Sequence, residues 1–140
     1  MSKYSDYKKQ VEKMINNFPI GFAFSQKQFE EAKQKLNVKP GEKLIKIGGG
    51  GFIKKSDLAA YDKMFDDIDS MFKRLIEEDT TGTGFIYDMF SYELSNHEYC
   101  ITYEIDDTLN ALDLTIEEIN SNPSLLKGLK KAIKDQEKYM

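Results

Sequence analysis

The chain has 140 residues, 40% of them hydrophobic, and carries a formal net charge of −4. That length suits one domain spanning residues 1–140, and the apolar share, with nine Phe and eight Tyr, excludes disorder for most of it. Arg74 is the only arginine, and a scarcity of the side chain best suited to phosphate and guanine argues against direct nucleic-acid binding. An AT-rich genome produces the same lysine bias.

In chain order, residues 4–17 place Tyr7, Val11, Met14, Ile15 and Phe18 at three- and four-residue steps, which predicts an amphipathic helix stopped by Pro19. Residues 20–24 read as a short strand. Ser25 and Gln28 form a capping pattern for a second helix, with Phe29, Ala32 and Leu36 on one side. Residues 43–47 read as a strand, four glycines follow from Gly48 to Gly51, and Phe52 to Lys54 are again extended. Ser56 opens the longest helix, to about Glu78, with apolar residues from Leu58 to Ile76 at helical steps.

Residues 85–94 fit both the helical and the strand period; aromatic richness and a glycine-bearing entry favour a strand. Tyr99, Ile101, Tyr103 and Ile105 alternate with polar neighbours, predicting a further strand joined to the first by a turn at residues 95–97. Short helical turns follow at residues 108–112 and 115–119, the second with a Thr115/Glu118 capping box. Asn122 and Pro123 open a last helix. The expected fold is α+β: a small antiparallel sheet of about four or five strands on one long central helix, with smaller helices at both ends.

Few residues invite chemistry. The glycine run lacks the Lys-Ser or Lys-Thr of a phosphate-binding loop, so it reads as a hairpin tip or a docking tip. His97 and Cys100 are the only residues of their types, and three positions apart on a strand they face opposite sides. One His and one Cys cannot complete a metal site without carboxylates, so neither a metal nor a cofactor is expected. Cys100 alone cannot form an internal disulfide, which favours a reducing compartment. The first residues lack the apolar run of a signal peptide and residues 19–24 are too short to cross a bilayer, so a cytoplasmic protein is expected by elimination.

Charge is the stronger signal. Residues 1–56 carry a balance of +7, residues 57–118 a balance of −14, and residues 119–140 return to +3. Asp62, Asp66 and Asp69 fall on one stripe of the long helix, and Glu104, Asp106 and Asp107 form a second group. Either the lysines of the terminal helices cover these acids, or the acids face a protein with a basic, nucleic-acid-binding surface. The first reading is therefore a non-enzymatic binding protein using those six carboxylates for partner binding. Two alternatives stand beside it: a small enzyme with a carboxylate and His97 site, and a homodimer pairing basic ends with an acidic middle.

Residues 44–54 (Leu-Ile-Lys-Ile-Gly-Gly-Gly-Gly-Phe-Ile-Lys), residues 87–99 and residues 108–112 resemble small uncharacterised proteins carried by phages and mobile elements of gut bacteria. The resemblance implies an accessory or counter-defence role, such as inhibition of CRISPR nucleases or restriction enzymes. It carries over no functional residues.

Overall fold

The computed structural model describes residues 3–139, which form two compact units. One runs from Lys9 to Ser70; the other joins residues up to Lys8 with those from Met71 onward. The unit boundaries fall within α1 (Lys3–Asn16) and α3 (Leu58–Glu78).

The sheet unit holds β1 (Gly21–Phe22), α2 (Gln26–Lys35), β2 (Leu44–Gly48) and β3 (Gly51–Lys54). Its three strands are antiparallel in the order β1-β3-β2, so β3 is central. Ile53 is fully buried and Phe52 nearly so, and the Phe29 ring of α2 meets Phe52 edge-on at 5.2 Å. Ser25 caps α2 as its sequence suggests, its hydroxyl accepting from the Gln28 amide at 3.2 Å. A second aromatic contact runs from Phe18 to Tyr61 at 5.6 Å and on to Phe65 at 4.9 Å.

The helical unit is built around α4 (Phe85–Asn96), with α5 (Tyr99–Thr102), α6 (Asp106–Leu112), α7 (Ile116–Ser121) and α8 (Pro123–Gln136). Ile86, Met89, Phe90 and Leu94 of α4 are completely buried, among Leu109, Leu112, Ile119, Leu125, Leu129 and Ala132 from the later helices. At about 25 cal/mol per Å² of apolar surface, this cluster is the main source of the unit's stability. Close approach of α4 and α8 needs Gly128, because a Cβ there would lie 2.5 Å from Ile86 Cγ2. The Tyr87 hydroxyl donates to Asp135, a second link between the two helices.

Two strands expected from the sequence are helices, and the expected sheet of four or five strands on one long helix is corrected accordingly. In α4 the buried residues are Phe85, Ile86, Met89, Phe90, Glu93 and Leu94, adjacent pairs recurring every four residues. That pattern is a wide helical stripe, and its adjacent pairs also satisfied the strand reading. The helix start is fixed from outside: the Asp79 carboxylate accepts from the amides of Gly82 (3.0 Å), Gly84 (3.1 Å) and Ile86 (2.9 Å). The expected turn at residues 95–97 is the end of α4, with His97 as its C-cap.

The alternation from Tyr99 to Ile105 likewise marks no buried strand face. Ile101 is 70% and Tyr103 65% exposed, and Glu98 and Tyr103, both in the left-handed region (φ 57° and 62°), bracket the single turn of α5. Cys100, expected on a strand, lies in α5; its side chain is outside the described residues. The caps at Thr115/Glu118 and at Asn122 before Pro123 form as expected. Among the described residues no helix is long and apolar enough to cross a membrane.

Candidate functional site

The six acids singled out by the sequence are all exposed. On α3, Tyr61, Ile68, Met71, Phe72 and Leu75 are half-buried and Met64 is buried, which leaves Asp62, Asp66 and Asp69 on the opposite side. Asp67 beside them pairs with Lys63 at 2.9 Å, one helical turn away. Asp62 and Asp66 have no ion pair among the described residues. Their mutual repulsion at i,i+4 costs a few tenths of a kcal/mol at most, which the helix tolerates.

Glu104, Asp106 and Asp107 follow α5. Asp106 and Asp107 occupy the first turn of α6, where the helix dipole favours carboxylates and where the N-cap residue, Ile105, supplies no side-chain cap. These three also have no ion pair among the described residues. The α3 stripe belongs to the sheet unit and the α6 trio to the helical unit. Within each set the acids lie together.

A cluster that sequence reasoning missed lies inside the helical unit. Glu93 is only 2% exposed, and its carboxylate accepts from the Tyr4 hydroxyl at 2.9 Å and from Lys8 Nζ at 3.4 Å. The Lys8 ammonium also sits 4.5 Å from the Tyr92 ring centroid, so an aromatic face shares its charge. His97 Nε2 is 3.3 Å from the other Glu93 oxygen, within ion-pair distance but not aligned as a hydrogen bond, and it is buried. Burial pushes the Tyr4 hydroxyl far above the ordinary tyrosine range, and the Glu93 carboxylate it donates to adds to the effect.

These are residue types of acid–base chemistry, yet their geometry is that of an internal tie between the first two turns of α1 and the last turn of α4. Three grooves, of about 620, 450 and 360 Å³, are lined by residues of the sheet unit and not by His97 or Glu93. The sequence signal for the tie is the Glu93/His97 spacing of four, readable only once residues 85–96 are known to be helical. No group of three or more His, Cys, Asp or Glu among the described residues is placed to hold a metal ion.

The glycine run is a turn. Gly49 and Gly50, with φ of 58° and 77°, are the two central residues of a hairpin between β2 and β3, the type I′ signature that favours glycine at both positions. The Gly50 carbonyl accepts from the Ala23 amide at 2.9 Å, and the Phe24 ring lies where a Gly50 Cβ would come within 2.6 Å of it. The tip is thus bonded back to the residue that follows β1.

A family model described as a family of unknown function (DUF7659) matches residues 3–135. No curated protein and no solved structure matches the chain.

Proposed function

We propose that the chain, which belongs to the DUF7659 family of unknown function, is a non-enzymatic binding protein that presents acidic helix faces to a partner with a basic, nucleic-acid-binding surface. One observation carries this reading. Asp62, Asp66, Glu104, Asp106 and Asp107 are exposed and are used neither in the core nor in internal ion pairs among the described residues. Among the described residues, Lys127, Lys130 and Lys134 of α8 make no ion pair with Glu104, Asp106 or Asp107 of the same unit.

Rows of carboxylates substitute for phosphate on a Lys- or Arg-lined channel, and complementary charge speeds encounter while leaving binding sensitive to salt. The resemblance to phage and mobile-element proteins narrows the partner to a host nucleic-acid enzyme, inhibited in the bacterial cytoplasm. The test is capture from host lysate by the intact chain and by the triple variant Asp62→Lys, Asp66→Lys, Asp69→Lys. The expected result is a partner retained by the first, lost by the second and released by duplex DNA. Equal retention by both chains would refute the reading.

A further inference from the structure

We infer that the free edge of β2, with the aromatic groove beside it, takes up an extended acidic segment of a partner protein as an added strand. This surface lies in the basic part of the chain and is independent of the acidic faces above.

The hydrogen-bond register defines the edge. The Lys55 amide donates to the Lys43 carbonyl at 2.9 Å, which makes that pair hydrogen-bonded. Alternation along an antiparallel ladder then makes Ile45 and Ile53 the next bonded pair. Leu44 and Lys46 are the intervening pairs, so their backbone N–H and C=O groups point away from β3, toward the open side of the sheet. Extra residue Ile47 breaks the register between Lys46 and Gly48, so the regular edge ends at Lys46.

From this strand a groove of about 620 Å³ crosses the sheet face toward the residues that follow β1, with Leu44, Phe52, Phe29 and Phe24 as its apolar surface and Lys46 among its lining. Phe24 is 79% exposed, an aromatic ring held at the margin with nothing over it. Leu44 and Phe29 also line the neighbouring groove of about 360 Å³, so the apolar track continues past the start of β2. An added strand sends alternate side chains into such a track while its backbone pairs with the edge.

Charge selects the occupant. Lys39, Lys43 and Lys46 are exposed, and none has an ion pair among the described residues; Glu42 is already engaged by Lys54 at 3.6 Å and by the Lys39 amide at 2.7 Å. Lysines on an edge strand oppose pairing with a second copy of the same edge, since two such strands would set like charges together. They favour a strand that alternates carboxylates with aromatic or aliphatic side chains.

The probes are short synthetic peptides alternating Glu with Val and Phe, a version with Lys in place of Glu, and a version N-methylated at alternate amides. Binding is followed through the amide resonances of the isotope-labelled full chain. The acidic peptide is expected to shift the Leu44 and Lys46 amides, with affinity falling roughly tenfold in Lys46→Glu and lost on N-methylation. Leu44→Pro removes the outward donor without touching a β2–β3 bond and gives a second variant. Equal binding of acidic and basic peptides, shifts confined to other regions, or dimerisation through β2 in sedimentation would each overturn the inference.

Discussion

A carboxylate as buried as Glu93 must be satisfied where it sits, and Tyr4 and Lys8 of α1 do so. Replacing Glu93 with Ala leaves the Tyr4 hydroxyl buried without its acceptor and costs about 2 kcal/mol, read from urea unfolding. Tyr4 also sets a pH dependence. An unfolded tyrosine ionises near 10.0, whereas burial, with Glu93 second, keeps the native hydroxyl protonated well beyond that. Above about pH 10 the unfolded chain therefore binds fewer protons than the native one, and stability falls as pH rises. Tyr4→Phe is expected to be less stable at neutral pH and to show a shallower alkaline decline than the parent chain. A decline of equal slope in both would show that Tyr4 does not contribute.

Helix α4 exists because its start is capped from a distance as much as because its stripe is apolar. Asp79→Ala strips acceptors from three amides and is expected to lower stability by about 1–2 kcal/mol, with Asp79→Asn milder, by thermal unfolding. This element also shows where sequence reading stops. Ser25, Thr115 with Glu118, and Asn122 with Pro123 announce their helices because each cap lies within three residues of the amides it serves. Asp79 reaches the amides at the start of α4, Gly84 and Ile86, from five and seven residues away and across two glycines, so only a loop was legible there. Apolar residues in adjacent pairs then fitted either period, and the strand reading of residues 85–94 failed for that reason. The alternation at residues 99–105 failed differently: Ile101 and Tyr103 are exposed, and alternation predicts a strand only where one face is buried.

Over the whole molecule, charge segregation was legible at once, since it needs only counting. Whether Asp62, Asp66, Asp69, Glu104, Asp106 and Asp107 are exposed or covered by the terminal lysines was not legible from counting; the structure leaves all six exposed. The Glu93 tie was not legible, because its parts lie some 85 residues apart in the chain. Nor was the open edge of β2, which depends on which strand is central. The proposed contacts carry opposite surface chemistry, even within the sheet unit: carboxylates for a basic partner on α3 and at the start of α6, lysines beside an aromatic groove on β2. Charge reversal at Asp62, Asp66 and Asp69 is therefore expected to leave peptide uptake at β2 unchanged, which titration of both chains with the acidic peptide checks.

The most direct test is the salt dependence of the dissociation constant between the intact chain and its purified captured partner. Surface carboxylates meeting lysines and arginines predict affinity that falls steeply as salt rises, and a much shallower fall for the triple α3 variant. An affinity indifferent to salt, identical in the two chains, would contradict the acidic-face account.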